Sequence, residues 1–119
     1  MIFLISFSIC CALIYKVHLL EAEQFSFQNR YSAAESSYAA AINSARSSGF
    51  IHEQGLACEL AGYHFKKVSD LPSAWISFDQ AKQCYVEWGS QMKVDSVSRQ
   101  LRSLSDYMSG GPSSSLSSA

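Results

Sequence analysis

The 119-residue sequence predicts an all-α chain of antiparallel helix-hairpin repeats, closed by a C-terminal capping helix. Three observations predict it. Two prolines and six glycines leave room for long unbroken helices. Apolar residues recur at alternating steps of three and four, the spacing of a helix with one buried face. Ala34, Tyr38 and Ala41 return as Ala74, Phe78 and Ala81, each 40 residues on (74−34, 78−38, 81−41).

The chain opens on Ile2 to Tyr15, fourteen residues without a charge. A membrane span needs about 20 apolar residues, and extending this run to Leu20 admits Lys16 and His18. A secretory signal has such an apolar centre, and Cys10-Cys11-Ala12 resembles a small-residue cleavage site, but no Lys or Arg precedes the run. The third reading is a buried repeat helix. Residues 1–18 therefore stand as an apolar segment of open assignment: signal, anchor or truncated repeat helix. Residues 2–20 are the only route to a membrane.

Residues 19–108 form the predicted repeat region. Asn29 is the expected cap of a helix from about Arg30 to Ser48, stopped by Gly49. A second helix spans about Ile51 to Val68, with Ala57, Leu60, Ala61, His64, Phe65 and Val68 on one face. Asp70 caps a third, with Pro72 in its first turn. That helix is expected to bury Ala74, Phe78, Ala81, Tyr85 and Trp88, and to end at Gly89. Ser90 caps a fourth, whose stripe is Val94, Val97, Leu101, Leu104 and Met108, with Lys93, Asp95, Arg99, Arg102 and Asp106 facing away. From Ser109 on, the Gly-Gly-Pro-Ser-Ser-Ser run predicts a disordered tail over 109–119.

The spacing Ala-x3-aromatic-x2-Ala is similar to that of the second helix of a tetratricopeptide repeat. Two alanines let the paired helix approach, and the aromatic fills the groove between helices. Gly62 and Phe65 take the Gly-x2-aromatic positions of a first helix; the same offset puts Ala22 and Phe25 there in the earlier copy, with Leu20 matching Leu60. Carried forward, the offset places Arg102 and Ser105 at those positions, so the last helix departs from the pattern and reads as an end cap with a polar outer face. Over roughly Leu19 to Leu104 the chain also resembles the helical repeats beside the ATPase module of multi-domain sensor kinases of the fused serine/threonine-kinase and histidine-kinase type. The residues that carry this are His52-Glu53 with Leu56-Ala57-Cys58-Glu59, and Tyr85-x-Glu87-Trp88-Gly89. The resemblance implies an interaction or regulatory spacer without catalytic residues. No Gly-x4-Gly-Lys-Ser/Thr loop, Gly-x-Gly-x2-Gly loop or His-Arg-Asp loop is present, so kinase and ATPase activity do not carry over.

The residues that could carry chemistry are scattered. Net charge is −1 and the nine Lys and Arg residues do not cluster, which argues against nucleic acid or an anionic surface as partner. The four cysteines, Cys10, Cys11, Cys58 and Cys84, form no Cys-x-x-Cys pair and read as reduced small hydrophobes. A Cys58–Cys84 disulfide requires an oxidising compartment. His52-Glu53 begins like a zinc-protease motif, but Leu56 stands where the second histidine is needed. His64, beside Phe65 on the apolar face, reads as a satisfied core histidine. Glu53, Glu59, Asp70, Asp79 and Glu87 are not forced into one site. No cofactor, metal site or enzymatic activity is expected.

What remains is a protein- or peptide-binding module, a scaffold segment of a signal-transduction protein, cytoplasmic in setting. The expected contact positions are Glu59, Tyr63 and Lys66, outward on their helix, and Trp75, one step off the buried stripe and facing a groove or a neighbouring repeat. About three repeat units are usually needed for an independent fold. One good pair, one degraded pair and a cap therefore imply a chain that borrows a partner surface such as neighbouring repeats, self-associates, or, the favoured reading, is a truncated piece of a longer protein. The competing reading is a small secreted or membrane-anchored helical protein, with residues 1–20 as its targeting segment.

Overall fold

The computed structural model describes the backbone of residues 2–109 and the side chains of residues 14–109. It contains five α-helices and, among the described residues, no strand. These are α1 (Ile2–Phe27), α2 (Tyr31–Ser48), α3 (Ile51–Lys67), α4 (Leu71–Trp88) and α5 (Gln91–Met108). Helices adjacent in sequence pack on one another, most extensively α1 on α2 and α3 on α4. The tail predicted over 109–119 lies, apart from Ser109, outside the described residues.

Helix ends recur with the same offset as the side-chain pattern. α2 and α4 start at 31 and 71 and end at 48 and 88 (71−31, 88−48). Both are followed by a left-handed glycine, Gly49 at φ 76° and Gly89 at φ 93°, whose N–H returns to carbonyls of the last turn. α1 and α3 are followed by left-handed Asn29 (φ 63°) and Ser69 (φ 65°). Asn29 is thus not the cap of α2. It lies in the turn after α1, a conformation its short polar side chain tolerates, and its Oδ1 accepts from the Tyr31 hydroxyl at 3.0 Å. Arg30 is the N-cap of α2, without a side-chain cap bond. Asp70 and Ser90 do cap α4 and α5, accepting from the N–H of Ser73 and Lys93.

The core has three clusters. One joins Cys58 of α3 to Ala74, Phe78, Ala81 and Tyr85 of α4 and to Val97, Leu101 and Leu104 of α5. Another gathers Tyr15, Ala41, Ala45 and Ala57; the third gathers Ala22, Ala34, Tyr38 and Ala61. Ile42, half-buried on α2, packs against all three.

Within these pairs, bulk faces small residues, but on opposite helices. In the α3–α4 pair the aromatic rings come from α4: Phe78 lies over Gly62 and Tyr85 over Gly55. In the α1–α2 pair Tyr38 comes from α2 toward Ala22, whereas Tyr15 comes from α1 toward Ala45. At the position equivalent to Gly55 and Tyr85, bulk and space have exchanged sides, which keeps the filled volume similar. Two expected core residues lie outside. Trp88 is 49% exposed and stacks on His52 (centroids 5.0 Å apart, planes at 26°), and Met108 is 42% exposed at the end of α5. Each sits in the last turn of its helix, at the edge of the packed face.

Candidate interaction surface

α1 and α3 are not a close-packed pair; α2, packed on both, joins them. Between them runs an open groove. Its larger part, about 540 Å³, has α1 residues Tyr15, Lys16, Leu19, Leu20 and Glu23 on one wall and His52, Glu53, Leu56 and Leu60 of α3 on the other. A smaller hollow of about 230 Å³ continues it, sharing Glu23 and Leu60 and adding Phe27, Tyr63 and Lys67. Leu20 and Phe27 are exposed there by 71% and 84%. Exposed apolar side chains along a concave surface are the usual mark of a contact site. Tyr15 is enclosed, its hydroxyl without a hydrogen-bond partner among the described residues, and its phenol is pushed up to about 12 by burial and secondarily by the Glu53 carboxylate.

Two buried polar clusters involve α3, and the first borders this surface. His64 of α3 sits between Ser26 Oγ of α1, 2.8 Å from Nδ1, and Glu35 Oε2 of α2, 3.3 Å from Nε2. With the proton on Nε2, the ring donates to Glu35 and accepts from Ser26, so both nitrogens are satisfied. The order serine–histidine–carboxylate is that of an activated nucleophile. Its surroundings are not. Ser26 is only 5% exposed and lies in the last turn of α1, where carbonyls collect: its own oxygen accepts from Lys67 Nζ at 2.7 Å and from Asn29 N. An acyl-transfer site needs N–H groups aimed at a developing oxyanion, and this helix end offers acceptors. The cluster ties three helices together.

The second cluster centres on Glu59. The sequence places it outward, but it is 7% exposed, accepting from the Tyr85 hydroxyl at 2.8 Å and from Lys93 Nζ at 3.4 Å. Tyr85 of α4 supplies the partner that makes burial of this carboxylate tolerable. Burial raises the Tyr85 phenol far above its ordinary value, with the bond to Glu59 adding to it.

The other three predicted contact positions are divided. Tyr63 is exposed on the groove, its ring edge-on to Phe78. Lys66 is exposed but donates to Gln100 Oε1 of α5 at 2.9 Å. Trp75 is half-buried against the core, and its indole N–H donates to Ser105 Oγ of α5 at 3.3 Å. Of the four, the groove gathers only Tyr63. Leu19, Leu20, Glu23 and Leu56 are not among the contact positions expected from the sequence; on α1 the signal was the i, i+3, i+4, i+7 spacing of Lys16, Leu19, Leu20 and Glu23, which runs across the boundary of the apolar segment.

Buried acids make stability depend on alkaline pH. Burial, and next Cys84, pushes the Cys58 thiol up to about 12 from an ordinary 9.0, and Tyr15 rises to about 12 from 10.0. Above pH 9 the unfolded chain releases protons that the folded chain holds, so stability falls as pH rises toward 12. The melting temperature should therefore decline steadily from pH 9 to 11, with a shallower slope in Cys58→Ala. A flat profile in the parent protein would contradict these burials.

Among the described residues no helix is long and apolar enough to cross a membrane, and no group of His, Cys, Asp and Glu is placed to hold a metal ion. Most of the apolar segment over 1–18 lies outside the described side chains. No protein-family model matches this chain, and neither a curated protein nor a solved structure matches it.

Proposed function

We propose that this chain is a non-catalytic protein-interaction module, a tetratricopeptide-like tandem of helix hairpins whose contact surface is the groove between α1 and α3. The groove carries the reading: an apolar floor of Leu19, Leu56 and Leu60, open to solvent and flanked by Lys16, Glu23 and Glu53. Helix ends that recur at 40 residues support the tandem arrangement, and α5, with Val97, Leu101 and Leu104 inward and a polar outer face, suits an end cap. The resemblance to the repeats of sensor kinases supports a place in a signalling assembly. The buried free thiols of Cys58 and Cys84 suit a reducing, cytoplasmic setting. The ligand class is a helix or extended peptide that fills the groove with aliphatic side chains.

A displayed library of helical peptides, selected on the full chain, tests this. Binders should be recovered, and Leu56→Arg, at a wall position outside the three core clusters, should weaken them by about 10-fold or more. Failure to recover binders, or binders indifferent to Leu56→Arg, would count against the groove.

A further inference from the structure

We propose that two copies of this chain pair antiparallel through α1, about a two-fold axis passing between Leu19 and Leu20. The inference rests on reading the α1–α3 groove as a contact surface and names a first occupant for it. Lys16, Leu19, Leu20 and Glu23 follow one another at i, i+3, i+4 and i+7, so they share one face of α1. All four line the larger part of the groove. Lys16, Leu20 and Glu23 are exposed, Leu20 most of all, and among the described residues Lys16 forms no ion pair.

This face is self-complementary. Read from either end it presents a charge, two leucines, and the opposite charge. In an antiparallel pair, Lys16 lies opposite the partner's Glu23 while Leu19 meets the partner's Leu20, and the two-fold repeats both contacts. That reciprocity is what an isologous dimer requires. The charges stand about 10 Å apart along the helix axis, two turns, so they flank the leucine pair on both sides. A parallel pair would set Lys16 against Lys16 and Glu23 against Glu23, so the same charges that favour one orientation oppose the other. Leu20 of each copy then enters the groove of the other, between α1 and Leu56 of α3, where apolar surface now faces water.

Sedimentation equilibrium on the full chain tests the pairing, with circular dichroism showing that each variant keeps its helices. The parent chain should be a dimer. Lys16→Glu alone and Glu23→Lys alone should each weaken dimerisation by about 10-fold or more, since each creates two like-charge contacts. The double exchange Lys16→Glu with Glu23→Lys should return affinity to within about 3-fold, and Leu20→Arg should give a monomer. Glu23 also lies beside the buried Tyr38 phenol, which its carboxylate helps to push up, so Lys16→Glu is the cleaner single change. A monomeric parent, association indifferent to both reversals, or a double exchange no better than the singles would each overturn the pairing. A monomer that still gives groove-dependent peptide binders removes the dimer and leaves the module reading in place. A monomer without binders removes both.

Discussion

Phe78→Ala is expected to destabilise the chain by about 3–5 kcal/mol, lowering the melting temperature by roughly 15 °C. Phe78 is fully enclosed, in the cluster that joins α3, α4 and α5. Three of its ring carbons would stand 2.9 Å from a Cβ placed on Gly62. α3 therefore approaches the ring with bare backbone, and removing the ring leaves a cavity on that side. The companion change is more diagnostic. Gly62→Ala in the parent should destabilise by about 1–2 kcal/mol, because the clash with an immobile ring outweighs a helix-propensity gain of about 1 kcal/mol. In the Phe78→Ala background the clash is gone, and Gly62→Ala should stabilise by about 1 kcal/mol. A substitution whose sign reverses with its neighbour is direct evidence of the contact. Additive effects across the four proteins would show that ring and glycine do not meet.

That contact explains which parts of the fold could be read in the sequence. The Ala-x3-aromatic-x2-Ala pattern is a local record of α2 and α4, since helical phase places all three residues on one face, and Ala34, Tyr38, Ala41, Ala74, Phe78 and Ala81 are all buried. Gly49, Gly89, Asp70 and Ser90 act through their own backbone or the next turn, so their roles are equally local. The exchange of bulk between Tyr15–Ala45 and Gly55–Tyr85 left no such record. It is a property of facing positions on two helices, and a comparison at fixed offset sees only a mismatch. Asn29 was misread because it suits two neighbouring roles, helix cap and left-handed turn, and only the start of α2 at Tyr31 separates them.

The candidate surface was less legible, for a related reason. Outwardness was assigned by phase around each residue's own helix, α3 for Glu59 and α4 for Trp75, which cannot register that Tyr85 carries a hydroxyl to Glu59 or that Ser105 receives the indole N–H of Trp75. Both residues are turned toward other elements by partners far away in sequence. The groove was missed because its α1 wall crosses the boundary drawn at residue 18, dividing Lys16 from Leu19, Leu20 and Glu23. Charge and apolarity set that boundary; the helix runs through it without a break.

Glu59→Ala should destabilise the chain by about 2–4 kcal/mol, which is the cost of stranding its partners rather than of losing carboxylate area. The two partners differ. Lys93 is 41% exposed at its side chain and can turn to water, whereas the Tyr85 hydroxyl lies within a residue that is almost wholly enclosed. Most of the loss therefore belongs to Tyr85, and Tyr85→Phe in the Glu59→Ala background should recover part of it. In the parent, Tyr85→Phe should itself destabilise, because it leaves a buried carboxylate with Lys93 alone. Opposite signs for one substitution in two backgrounds identify the hydrogen bond as the coupled unit. The cluster also holds α5: Lys93 reaches Glu59 across α4 and lies 5.4 Å from the centre of the Tyr85 ring. Hydrogen exchange should accordingly quicken in the first turns of α5 before it does in α2. Equal protection of α5 in Glu59→Ala and parent would show that Val97, Leu101 and Leu104 seat α5 without the ionic contact.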